Sequence, residues 1–200
     1  DSLIGNDGND YIIAEDSDAK IDGGDGNDTV EFADSVGNPT LSDQDLVNVE
    51  NIFISNTNLT QTNFDFRAQT EGLNITAGSG TEYILVATNR AVDTVSSGGA
   101  NDLIYADDTD IIDGGAGASD KLWIGGARSS ELTDSDLQNV EIVELIDAGT
   151  GAMLDLSAQT EDLEILNNYD YDQATVIGGS GADTFRMGSG SETIVASDTD

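Results

Sequence analysis

The stretch Gly5-Asn-Asp-Gly-Asn-Asp-Tyr-Ile-Ile13, answered by Gly23-Gly-Asp-Gly-Asn-Asp-Thr-Val-Glu31, decides how the rest of the chain is read. Asp10 and Asp28 close two glycine-and-aspartate turns 18 residues apart, and a short apolar run follows each. Glycine is required where the backbone turns sharply at positive φ and its carbonyls point inward. Aspartate contributes a hard anionic oxygen, and the apolar residue two places on points into a core. Two such turns at this spacing describe one coil of a parallel β-roll and the start of the next.

Composition narrows the function. The 200 residues include 40 acidic and 6 basic side chains, for a formal charge of −34. A nucleic-acid binder is excluded, because phosphate neutralisation needs a Lys/Arg surface that is absent here. The same charge opposes an anionic membrane surface, and no run approaches the ~18 apolar residues of a membrane span. With no cysteine there is neither a disulfide framework nor thiol catalysis. With no histidine, the usual general base and zinc ligand are missing. Neither His-Glu-x-x-His nor Gly-x-Ser-x-Gly occurs, so the chain reads as no enzyme. An acidic chain can be a solvated tail, but 37% of the residues are hydrophobic and they are patterned.

Internal repeats set the organisation. Leu41-Ser-Asp-Gln-Asp-Leu-Val-Asn-Val-Glu-Asn-Ile52 recurs 91 residues later as Leu132-Thr-Asp-Ser-Asp-Leu-Gln-Asn-Val-Glu-Ile-Val143. Asp65-Phe-Arg-Ala-Gln-Thr-Glu-Gly-Leu-Asn-Ile75 recurs 90 residues later as Asp155-Leu-Ser-Ala-Gln-Thr-Glu-Asp-Leu-Glu-Ile165. Ala106-Asp-Asp-Thr-Asp110 matches Ala196-Ser-Asp-Thr-Asp200. The expected organisation is a tail of one unit at 1–18 and whole units at 19–110 and 111–200. That is the phase expected of a continuous solenoid cut from a longer array.

Between the glycine-rich turns lie segments of another kind. Ser42 with Asp45, and Thr133 with Asp136, read as capped single helical turns, which predicts short helices near 42–48 and 133–139. Glu50-Asn-Ile-Phe-Ile54, Phe64-Asp-Phe66, Leu73-Asn-Ile75, Tyr83-Ile-Leu-Val86 and Glu141-Ile-Val-Glu-Leu-Ile146 read as short strands. The fold class expected is all-β, a right-handed parallel β-solenoid in which β-roll turns alternate with β-helix-like rungs.

At Gly5–Ile13 and Gly23–Glu31 the sequence resembles the repeats-in-toxin (RTX) family, whose Gly-Gly-x-Gly-x-Asp-x-U-x nonapeptide builds a calcium-binding parallel solenoid. The second copy matches throughout, with Val30 at U, while Asn6 replaces a glycine in the first. The resemblance implies several calcium ions. Carbonyls of Gly5 and Asp7 with the Asp10 carboxylate would face those of Gly24 and Gly26 with Asp28, on the turn opened by Gly23. Asp102 with Asp120 would form a second pair. On the other side stands Asp183, with the turn Gly178-Gly-Ser180-Gly181 and Asp200 as its partner. Asp93 and Asp110 share that 17-residue spacing. The turns ending at Asp102 and Asp120 are degenerate, and Glu192 replaces a closing aspartate. The alternative for all these aspartates is plain turn capping.

Asn48–Ile52 and Asn139–Val143 are similar to rungs in repeated segments of bacterial surface-layer and large adhesin or matrix proteins. The two resemblances imply type I export to an extracellular or cell-surface location, a structural role in a layer, stalk or fibre, and self-association. The alternative is an accessory folding module of a secreted enzyme or toxin. Asn58-Leu-Thr60 and Asn74-Ile-Thr76 are glycosylation sequons, so glycans are a possible modification. Tyr169 and Tyr171 lie in an insertion that the first unit lacks, a candidate contact loop.

Overall fold

A computed structural model of the chain describes residues 1–15, 17–33, 39–55, 62–86, 91–125, 131–146, 151–167 and 173–196. Among these residues the secondary structure is all strand and turn. Seven strands make one sheet: β2 (Tyr11–Ala14), β4 (Thr29–Phe32), β7 (Asn51–Ile54), β9 (Asn74–Ala77), β11 (Thr94–Ser96), β13 (Ile111–Asp113) and β15 (Leu137–Gln138). Eight make another. They are β5 (Thr40–Ser42), β8 (Thr62–Ala68), β10 (Glu82–Leu85), β12 (Leu103–Ala106), β14 (Lys121–Gly125), β16 (Ile142–Ile146), β18 (Glu164–Asn167) and β20 (Thr184–Met187). Two three-stranded sheets complete the molecule, one of β1 (Ser2–Ile4), β3 (Lys20–Asp22) and β6 (Leu46–Val47), the other of β17 (Met153–Asp155), β19 (Thr175–Ile177) and β21 (Thr193–Val195).

Neighbouring strands in each sheet pair in parallel, usually with an intervening strand of the opposite sheet between them in sequence. This is the parallel β-solenoid that the spacing of Asp10 and Asp28 calls for.

Register converts the apolar pattern into columns. Ile12, Val30, Ile52, Ile75, Val95, Ile112 and Leu137 stack in one sheet. Phe64, Ile84, Ile104, Leu122, Val143, Ile165 and Phe185 stack in the other. All but the outermost Ile12 and Phe185 are buried, and together they form one core. β-branched residues predominate because a pleated, packed position suits them. Each such side chain stabilises the fold by roughly 1.5–3 kcal/mol. Phe32, Phe64 and Phe66 fill the wide interior behind the first rungs, with ring centroids 5.8 and 6.3 Å apart.

The expected helices at 42–48 and 133–139 are not formed. The capping contacts are present: Ser42 N–H and Oγ donate to Asp45 Oδ2, and Thr133 N–H and Oγ1 to Asp136 Oδ2. Each makes one closed turn and goes no further. The Asp45 carbonyl accepts from Ile21 N–H, and the Asp136 carbonyl from Ile112 N–H, both at 2.7 Å. A neighbouring rung therefore takes the acceptor that a helix would need, and strand resumes at Leu46 and Leu137.

The two copies of the sequence repeat do not occupy equivalent places in the solenoid. β7 and β16 carry matching sequence, yet β7 lies in the seven-stranded sheet and β16 in the eight-stranded one. The same exchange separates β9 from β18 and β11 from β20. From β7 to β16 the chain steps nine times between the two sheets, an odd number. One sequence repeat is therefore a half-integer number of coils, and matching features fall on opposite edges.

Candidate metal centre

The site is built where strands change sheets. Turn 5–10 lies against turn 23–28 in register: Asp25 N–H donates to the Asn6 carbonyl, Gly8 N–H to the Asp25 carbonyl, and Asn27 N–H to Asn9 Oδ1. Gly24 and Gly26 adopt φ of 105° and 155°. A Cβ at Gly24 would collide with the Asn6 carbonyl, and one at Gly26 with the Gly8 carbonyl. The motif glycines thus allow one turn to approach the next at backbone distance.

The closing carboxylates form ladders along the edges. Asp10 N–H donates to Asp28 Oδ1 and Asp28 N–H to Glu50 Oε2, each at 2.8 Å. On the other edge Glu82 N–H donates to Asp102 Oδ1, Asp102 N–H to Asp120 Oδ1, and Asp120 N–H to Glu141 Oε2, at 2.7–2.8 Å. Each carboxylate therefore sits in the gap between its own turn and the preceding one. Asp28–Glu50 and Asp120–Glu141 are the same two steps of the sequence repeat, displayed on opposite edges as the half-coil phase requires.

What remains of each carboxylate is the informative part. Asp10 Oδ2, Asp28 Oδ2, Asp102 Oδ2 and Asp120 Oδ2 are buried and accept no hydrogen bond. A buried anionic oxygen without a partner is costly. Backbone oxygens gather at the same places. A Cβ built on Gly5 would meet the Gly23 carbonyl and Asp10 Oδ2; one on Gly23 would meet the Asn48 carbonyl and Asp28 Oδ2. At Gly117 it would meet Asp120 Oδ2 and the Ala100 carbonyl. Among the described residues no three carboxyl groups converge. The donors are instead one or two carboxylates and several carbonyls. All are hard oxygens, the set that calcium takes with six to eight ligands.

The remaining predicted residues sort by their partners. Asp110 accepts Asp93 N–H on Oδ1 and Asp107 N–H on Oδ2. Asp183 accepts Leu163 N–H on Oδ1 and Gly179 N–H on Oδ2. Both oxygens of each are engaged by backbone, the arrangement of a turn cap. Asp93 accepts Leu73 N–H at 2.8 Å and is fully buried. Asp93 and Asp110 do lie on adjacent rungs, whereas Asp200 falls outside the described residues. Gly178 N–H donates to the Val195 carbonyl and Ser180 N–H to the Gln159 carbonyl, so this turn stacks on a loop without glycine-aspartate character. Glu192 keeps one buried oxygen without a partner. Asp7 bridges to Asp25 through the backbone and is exposed. Asn74 is exposed in β9, while Asn58, Tyr169 and Tyr171 lie outside the described residues.

Burial sets the electrostatics. It pushes the Asp110 carboxyl up to about 7, with the charges of Asp107 and Asp93 adding to the rise. Burial likewise raises Asp120 to about 6, reinforced by Asp102 and Glu141, and moves Asp102 upward. These acids resist ionisation unless something positive accompanies them.

Sequence reasoning missed three members of the ladders, Glu50, Glu141 and Glu82. The first two follow their aspartates by 22 and 21 residues rather than 18. Glu82 carried a readable signal, since Gly78-Ser-Gly-Thr-Glu82 repeats Gly188-Ser-Gly-Ser-Glu192.

A family model of the RTX calcium-binding nonapeptide repeat, in four copies, matches residues 1–30, 88–119 and 175–194. Among curated proteins none matches the chain. The matched segments contain Asp10, Asp28 and Asp102, whose carboxylates keep an unpartnered oxygen, and stop one residue short of Asp120; they lie on a parallel solenoid, and in both respects the chain fits the RTX β-roll family.

Proposed function

We propose that this calcium-binding structural repeat module works outside the cell as part of an extended array, a surface layer, an adhesin stalk or a self-assembling fibre. The observation that carries the proposal is the stacked pair of turns at Asp10 and Asp28, each with a buried carboxylate oxygen lacking a donor and carbonyls beside it. Asp10, Asp28, Asp102 and Asp120 would hold ions, together with carbonyls of their turns. Bound calcium supplies positive charge to neighbouring turns. Without it, like charges about 4 Å apart repel by about 4 kcal/mol at intermediate dielectric. Binding is then folding free energy. Calcium levels outside cells suit sites of about 10⁻⁴–10⁻³ M, so the chain would stay open before type I export and close after it.

The units at 19–110 and 111–200 would propagate as one solenoid through the unpaired strand edges that each sheet leaves. Because one repeat is a half-integer number of coils, an array would carry its ion pairs alternately on both edges. Circular dichroism and small-angle scattering in calcium and then in chelator test the proposal. The expected result is loss of β-signal and expansion of the chain on chelation, both reversed by calcium. An unchanged spectrum would overturn it.

A further inference from the structure

Just before the matched segment 88–119 lies a turn with the same geometry. Gly78-Ser-Gly-Thr-Glu82 aligns residue for residue with Gly98-Gly-Ala-Asn-Asp102: Ser96 pairs with Thr76, Gly99 N–H donates to the Gly78 carbonyl at 2.9 Å, and Leu103 pairs with Tyr83. Between these paired positions each turn has the same length, six residues from Ala77 to Glu82 and six from Ser97 to Asp102. A Cβ at Gly98 would collide with the carbonyls of Gly78 and Ala77, so two backbone oxygens point across the gap. Glu82 is fully buried, unusual for a glutamate in a chain this acidic.

We propose that Gly78–Glu82 is a third calcium turn, closed by glutamate, and that one further ion is held between Glu82 and Asp102. The proposal rests on the calcium reading above. Asp102 is 3% exposed; its Oδ1 accepts Glu82 N–H, which places the carboxylate in this gap, and its Oδ2 has no hydrogen-bond partner. The donors are the Asp102 and Glu82 carboxylates with carbonyl oxygens of the 77–78 turn, all hard oxygens suited to calcium and poorly suited to softer metals. Glutamate reaches the gap with one more methylene than aspartate, so its turn can keep the same length. Three stacked turns on this edge, ending at Glu82, Asp102 and Asp120, then enclose two gaps.

Native mass spectrometry of the 200-residue chain in calcium, alongside titration calorimetry, tests the assignment. Glu82→Gln is expected to carry one ion fewer than the wild type, or to bind its last ion more than tenfold more weakly. Glu82→Asp, which restores the common closing residue, is expected to keep the full count. Asp28→Asn serves as the reference and is expected to lose an ion at the first pair of turns. If Asp28→Asn loses an ion and Glu82→Gln does not, the third turn is overturned while the calcium reading stands. If neither variant loses one, the calcium reading itself fails. Should Glu82→Gln not fold, crystals of the wild-type chain soaked in terbium decide. Density between Glu82 and Asp102 supports the site; density only between Asp10 and Asp28 overturns it.

Discussion

The backbone N–H of Asp10 donates to Asp28 Oδ1 across 2.8 Å, while Asp28 Oδ2, buried in the same gap, accepts nothing. One carboxylate can thus serve two tasks. One oxygen caps the neighbouring rung, and the other would ligate the proposed cation. Turn capping and calcium ligation, which are alternatives when only the sequence is read, are compatible in a single side chain.

Asp28→Asn separates the two tasks. Asparagine retains a carbonyl oxygen for Asp10 N–H and discards the charge. In chelator the variant is expected to be at least as stable as the wild type, because an uncompensated buried anion has gone. In calcium it is expected to be less stable, with affinity at that pair reduced by more than tenfold. Urea denaturation under both conditions checks this, and a change in stability that is the same in calcium and in chelator would assign Asp28 to capping alone.

The buried acids give the metal-free chain an inverted pH dependence. Asp110 and Asp120 have folded values of about 7 and about 6, above the ordinary aspartate value of 3.8. Between 3.8 and those values the folded state holds more protons than the unfolded one. The stabilisation is therefore complete below 3.8 and is lost as pH rises through about 6 and 7. Each pH unit in that window removes up to about 1.4 kcal/mol per group. Thermal melts in chelator are expected to show a higher Tm at pH 5 than at pH 8. A Tm that rises with pH would contradict the burial of these groups.

Gly24 and Gly99 predict opposite responses to one added methyl group. Gly24 has φ of 105°, and its Cβ would run into the Asn6 carbonyl. A Cβ at Gly99 meets only ordinary contacts, at 3.5 and 3.6 Å from Ser79. Gly24→Ala is expected to cost well over about 1 kcal/mol and to lower calcium affinity by prising the first two turns apart. Gly99→Ala is expected to be near neutral. Chemical denaturation and calcium titration of the pair measure the contrast.

Phe64 tests the core. It is fully buried and touches Phe32 and Phe66. Phe64→Ala is expected to cost about 3–5 kcal/mol. Measured by urea denaturation in saturating calcium, this loss should leave the ion count at Asp10 and Asp28 unchanged, since core and edge are separate structures.

What the sequence determined by itself was local and periodic. Two glycine-aspartate turns 18 residues apart require a coil of that length, and apolar residues two places beyond each aspartate require a core between parallel strands. Val30 and Asp28 could be placed from their neighbours in the chain alone. Tertiary structure decided everything that depends on which rung lies beside which. It stopped the capped turns at Ser42 and Thr133 short of helices, because Ile21 and Ile112 on adjacent rungs take the carbonyls of Asp45 and Asp136. It gave Asp110 and Asp183 two backbone donors each, but left Asp28 and Asp102 with one, a difference invisible in identical aspartates. It also put matching repeats on opposite edges, because an odd number of half-coils separates them. Such partners lie about 20 residues apart along the chain yet within hydrogen-bond reach across it, and only the closed coil brings them together.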